Sequence, residues 1–211
     1  MKSRFLTVAG LALAAAAICG PLAAQSFPSA HWKSKVRMEG GPQGDMTTDS
    51  EIWMKDKSMR MKTLAMGMNV NIIKSGDFMY QWQEGQTTGM KLPANMRRGG
   101  GSDYVNKIDE VRAKGKKIGT ETVDGHKCDV YEYETTRERM GKVKETYWLA
   151  EDLKSFPIKY VMESGSMKMT SFNSAIEIPA SVSEAMLTPP KDVEFQDMSE
   201  MMKGMMPPKS K

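Results

Sequence analysis

The chain has 211 residues, and with a cleavable leader set aside it keeps 28 basic and 26 acidic side chains. So even a balance leaves no excess of Lys and Arg for a phosphate backbone, which argues against nucleic acid as a partner. Cys128 is the only cysteine after the leader, so no intramolecular disulfide can form and stability rests on packing.

Residues 1–24 read as a secretory signal peptide: Lys2 and Arg4 form a positive start, Phe5 to Ile18 an apolar core, and Leu22-Ala23-Ala24 a small-residue cleavage site. The apolar run is shorter than the ~20 residues a membrane span needs. Ile18 before Cys19 does not fit a lipoprotein leader. The expectation is a periplasmic protein beginning at Gln25, with one domain over 25–196 and a short tail over 197–211.

From His31 to Leu92 the pattern is period-2 alternation broken by turns. Trp32, Ser34, Val36 and Met38 alternate with Lys33, Lys35, Arg37 and Glu39. A Gly40–Gly44 turn leads to a strand ending at Met54, and Ser58 to Leu64 places Met59 and Met61 on one face. Val70 and Ile72 then share a face, as do Phe78, Tyr80 and Trp82 after the Ser75-Gly76-Asp77 turn. Six such strands in succession predict a meander. Pro93 ends it, and Arg97-Arg98-Gly99-Gly100-Gly101-Ser102 reads as a plain loop. A phosphate-binding loop would need a Lys-Ser/Thr ending and a flanking βαβ unit. Tyr104, Val105, Ile108 and Val111 recur at helical spacing, capped by Ser102 or Asp103 and ending near Gly115.

Strands resume at Ile118, turn at Asp124-Gly125 and continue from Cys128. The sharpest strand pattern is Val143, Glu145, Tyr147 and Leu149 against Lys144, Thr146 and Trp148, followed by a break and a second run opened by Pro157 through Ile158 and Tyr160. Met167 and Met169 share a face of one more strand. The total is about eleven strands and one internal helix.

Only two histidines occur, and no Gly-x-Ser-x-Gly, His-Glu-x-x-His or Walker pattern does. His126 and Cys128 are too few ligands for a closed metal site. No catalytic residue and no cofactor is assigned; the reading is of a protein that is not an enzyme. Methionine is the anomaly: 20 follow the leader, against five leucines. Its unbranched thioether suits a core or a binding surface that adapts to varied apolar partners, and it also suits Cu(I) or Ag(I). In the tail, Met198, Met201, Met202, Met205 and Met206 form one stripe of a helix, with Asp197 and Glu200 as a capping box. A helix this short is marginal alone, so it needs a seat. It would serve as a lid over an apolar opening or, alternatively, as a soft-metal site.

The pattern Tyr147-Trp148-x-Ala150-x-x-Leu153-x-x-x-Pro157-Ile158-Lys159 resembles exported bacterial proteins of the LolA/LolB-like superfamily, in an uncharacterised Met-rich branch. Gly125-x-x-Cys128-x-x-Tyr131, Lys57-x-x-Arg60 and Ile72-x-x-x-Gly76-x-x-x-Tyr80 match the same branch over roughly Ser29 to Asp197. The resemblance implies an open antiparallel β half-barrel around an apolar cavity, plugged by helices, that carries lipid or lipoprotein acyl chains. The expected carrier is a monomer with an outer-membrane or lipoprotein partner. The candidate lining is Trp32, Met59, Met61, Val70, Ile72, Phe78, Tyr80, Trp82, Tyr147, Leu149, Ile158, Tyr160, Met167 and Met169.

Overall fold

The structure, a computed structural model, describes residues 28–41, 44–65, 67–94, 107–137 and 141–199. Residues 1–24 expected to form a leader, the Arg97–Ser102 loop, Tyr104, Val105, Glu200 and the tail methionines Met201, Met202, Met205 and Met206 lie outside the described residues. Strands form where the alternation places them: β1 (Ser29–Glu39), β2 (Met46–Lys55), β3 (Ser58–Ala65), β4 (Met68–Ser75), β5 (Phe78–Gln83) and β6 (Thr88–Pro93). Helix α1 (Lys107–Lys114) follows, then β7 (Lys116–Val123), β8 (His126–Arg137), β9 (Gly141–Ala150), β10 (Phe156–Ser164), β11 (Met167–Glu177) and β12 (Glu194–Asp197). The Asp-Gly pair joining β7 to β8 takes φ of 51° at Asp124 and 81° at Gly125, as a tight hairpin turn requires.

All twelve strands belong to one sheet, ordered β12-β6-β5-β4-β3-β2-β1-β11-β10-β9-β8-β7. Two antiparallel meanders, β1 to β6 and β7 to β11, meet where β1 pairs with β11. The sheet does not close, since β12 and β7 are its two edges. This fits an open half-barrel with twelve strands where sequence suggests eleven. The additional strand is β12, a four-residue piece that pairs parallel with β6. To reach that far edge the chain leaves β11 and crosses the breadth of the first meander. A single turn of 3-10 helix, Glu184–Leu187, packs on β3 and β4 along the way.

The two faces of the sheet are unlike. On the inner face, rows of apolar partners run from strand to strand: Trp32 opposite Ile52, Ile52 opposite Met61, Met61 opposite Ile72. These join Val143, Tyr147, Leu149, Ile158 and Tyr160 in one core that spans both meanders. Helix α1 adds Ile108 and Val111 to it. On the outer face, Ile73 and Trp82 form a separate cluster with Val193, and Phe195 and Tyr80 pack against it.

Candidate ligand-binding face

Cross-strand registers sort the candidate lining into two sets. Trp32, Met59, Met61, Val70, Ile72, Tyr147, Leu149, Ile158, Tyr160 and Met169 all belong to the inner core, with Met167 packed at its margin. Phe78, Tyr80 and Trp82 do not join them. Tyr80 is opposite Ile73 and Trp82 opposite Asn71, whereas the inner-face partner of Ile72 is Gln81. The three aromatics therefore point outward. Tyr80 and Trp82 seat the crossing chain: the Phe195 ring meets Tyr80 edge-on at 5.2 Å and Trp82 at 5.8 Å. Lys91 sits over Phe78 at 3.9 Å. Six strands must be crossed between β11 and β12, and an apolar seat on the outside is what holds that connection. No lining built on the first set can include these three.

The inner face is not uniformly apolar. Ser34, Ser50, Thr63, Ser171 and Asn173 are buried within it. Ser34 and Ser171 share a hydrogen bond at 3.2 Å, as do Ser50 and Thr63 at 2.9 Å. Asn173 Nδ2 donates to the Pro157 carbonyl at 2.8 Å. Pro157 stands at a bulge in β10, opposite Leu149, where no ladder N–H is demanded of it. Among the described residues, three buried polar atoms of this face have no hydrogen-bond partner: Trp32 Nε1, Asn173 Oδ1 and Gln81 Oε1. Such orphans are rare in folded proteins and call for an explanation.

The residue that sequence reasoning passed over is Glu145, which is 0% exposed. Tyr147 donates to its Oε2 at 2.8 Å and Tyr160 to its Oε1 at 3.0 Å. Burial, then the negative charge nearby, pushes the Tyr147 phenol well above its usual value, so it stays a donor. The signal was available: Glu145 shares its parity with Val143, Tyr147 and Leu149, an acidic residue on an apolar face.

The other chemistry-bearing groups are local. Cys128 is buried, and its thiol is pushed up to about 11 by that burial. His126 pairs with Asp152 at 2.7 Å. Among the described residues no three His, Cys, Asp or Glu side chains gather as a metal site. A groove of about 490 Å³ mixes the charged Lys33, Lys35, Asp49, Glu51 and Lys62 with the apolar Leu64 and Phe172. In the tail, Asp197 accepts the Ser199 N–H at 2.9 Å, as a helix cap would. The Met198 N–H instead bonds the Lys91 carbonyl at 3.0 Å, prolonging the β12–β6 pairing.

No protein-family model matches the chain, and no curated protein does. Solved structures do. An uncharacterised conserved protein from Thermus thermophilus is similar at 10% identity and a TM-score of 0.53, over 82% of this chain and 91% of that one. A LolA superfamily protein from Nitrosomonas europaea is similar at 11% identity and a TM-score of 0.42, over 80% and 93%. The Mycobacterium tuberculosis lipoprotein LppX is similar at 13% identity and a TM-score of 0.42, over 72% and 89%. The first likeness establishes the fold and nothing more.

Proposed function

We propose that the protein is an exported, non-enzymatic carrier that holds an acyl chain or similar apolar ligand against the inner face of its open sheet. The observation that carries this reading is the continuity of that face. One apolar surface runs across β1 to β5 and β8 to β11 of a sheet whose two edges never meet. A closed barrel would fix its interior, whereas an open sheet can part its halves to admit a chain. Met54, Met59, Met61, Met79, Met162 and Met169 all belong to this surface. Their flexible side chains can repack around a guest at little cost.

Binding would draw on the transfer of apolar surface out of water, about 0.8 kcal/mol for each buried methylene. A chain of a dozen methylenes would then supply about 9–10 kcal/mol, against roughly 4–15 kcal/mol lost on association. The polar end of such a ligand would accept from the orphaned Trp32 Nε1 and, where it carries a hydroxyl or a protonated carboxyl, donate to Asn173 Oδ1. Both converge on the start of β10, since Trp32 packs edge-on against Phe156 at 5.4 Å and Asn173 holds the Pro157 carbonyl. Delivery would be to an outer-membrane or lipoprotein partner. The test is titration of the mature protein with a fluorescent fatty-acid analogue, followed by displacement with phospholipid. Saturable binding reversed by lipid is the expected result, and absence of binding would refute the reading.

A further inference from the structure

Carriage of an apolar chain does not account for one feature of the inner face, the alignment of its methionines at one end. Met46 of β2 is opposite Met38 of β1, Met38 is opposite Met169 of β11, and Met169 is opposite Met162 of β10. Four thioethers thus occupy four consecutive places in a single row across adjacent strands. Directly opposed residues in an antiparallel sheet share a face and have Cβ atoms about 4.5–5.5 Å apart. A methionine has three rotatable bonds beyond its backbone, so neighbouring sulfurs in such a row can turn onto one point.

Burial grades along the row. Met162 and Met169 are buried, whereas Met38 and Met46 are partly open, so one end reaches solvent. Met167, two residues before Met169 on the same face, adds a fifth thioether beside it. The row ends in charge: Met162 is opposite Glu145, the buried carboxylate held by Tyr147 and Tyr160. A cation among apolar side chains is tolerated only with an anion or dipoles close by, and Glu145 provides negative charge one strand away. A flexible lining explains methionine at Met162 and Met169 but not its unbroken run across four adjacent strands to the partly open Met38 and Met46.

We propose that Met38, Met46, Met162 and Met169 form a thioether site for a soft monovalent cation, Cu(I). Neutral sulfur ligands select such ions over Zn(II) and other harder ions. The site stands on strand register alone and does not depend on lipid carriage.

The experiment uses the mature full-length protein under reducing conditions. Cu(I) is competed against bicinchoninate, and Ag(I) is titrated as a redox-inert probe while the methionine methyl resonances are followed by NMR. The expected result is one tightly held ion, with Met38, Met46, Met162 and Met169 methyls shifting together and Zn(II) producing no such shift. The double change Met38→Leu and Met46→Leu, at two row positions outside the proposed lining, keeps apolar volume while removing two adjacent sulfurs. It should weaken Cu(I) binding by about a hundredfold or more, beyond what loss of an outer supporting group costs a metal site. The fatty-acid analogue should bind the double variant as it binds the parent. Three results would overturn the site: no Cu(I) uptake by the parent, methyl shifts confined to other methionines, or unchanged affinity in the double variant. Should the double variant not fold, the methyl shifts of the parent decide. Loss of fatty-acid binding alone would count against the carrier reading and leave the metal site standing.

Discussion

Gly89 is where the seating of the crossing chain can be broken with one methyl group. A Cβ built at this position would lie 2.7 Å from Phe195 Cε1, 2.8 Å from Phe195 Cδ1 and 2.8 Å from the Gln81 carbonyl oxygen. Each is closer than non-bonded atoms approach, and the carbonyl belongs to β5, which is held on both sides by its ladders. The ring must therefore move. Gly89→Ala would forfeit the two edge-on contacts of Phe195 with Tyr80 and Trp82, about 0.5–1.5 kcal/mol each. Overpacking adds about 1–3 kcal/mol, and since these terms overlap the expected loss is about 2–4 kcal/mol. At roughly 2–4 °C per kcal/mol for a domain of this size, Tm should fall by roughly 4–16 °C. Gly119→Ala is the control. It also lies in a strand, but a Cβ there meets nothing within 4 Å. Its effect should stay within about 0.5 kcal/mol. Thermal melts and urea titrations followed by circular dichroism measure both. A Gly89→Ala protein as stable as the Gly119→Ala protein would refute the placement of Phe195 and of the whole β12 connection.

The opposite facing of neighbours on β5 can be read by binding: Met79→Gln, on the inner side, should lower affinity for the fatty-acid analogue several-fold. Tyr80→Ser should leave that affinity unchanged while lowering stability, and the reverse pattern would invert the face assignment. Tyr160→Phe removes one of two phenol donors to the buried Glu145 carboxylate. Hydrogen bonds to charged groups are worth about 1.5–3 kcal/mol, so urea unfolding should show a loss of that order. High pH should also destabilise the fold. The Cys128 thiol is raised from 9.0 to about 11 and the Tyr147 phenol from 10.0 to well above it. Between its unfolded and folded values each group binds more protons in the native state, so the stability these two groups contribute is constant below pH 9 and is lost as pH rises beyond it. Cys128→Ala with Tyr147→Phe should flatten that fall in denaturant titrations at pH 8 to 11, and an unchanged slope would contradict the assignment.

The strands themselves were legible because period-2 alternation and Gly-Asp turns are local. The order β6 to β1 followed from short turns, which leave successive strands no choice but to pair. What alternation cannot supply is the side to which a given parity points. Phe78, Tyr80 and Trp82 are as apolar as Met59 and Met61, and only the register with β4 shows that they face the other way. The outer seat was hidden for the same reason: its partner, Phe195, arrives from more than a hundred residues downstream on a strand too short to announce itself. Glu145 was visible as an acidic residue of apolar parity, but its two phenol donors come one from its own strand and one from β10. The methionine row needed the registers of β2 with β1, β1 with β11 and β11 with β10. The middle one joins strands far apart in the chain, so tertiary folding sets it and no hairpin turn does. Met-x-Met spacing within one strand points to a shared face but never to the neighbour across the ladder.

The central claim is that the inner face holds an apolar guest. Its most direct test is native mass spectrometry of the mature protein, purified from its own source without detergent and compared with the same sample after organic extraction. The account predicts an added mass that extraction removes and that fragments as an acyl-bearing lipid, replaced on incubation with phospholipid vesicles. A bare polypeptide mass both before extraction and after incubation with vesicles would contradict it.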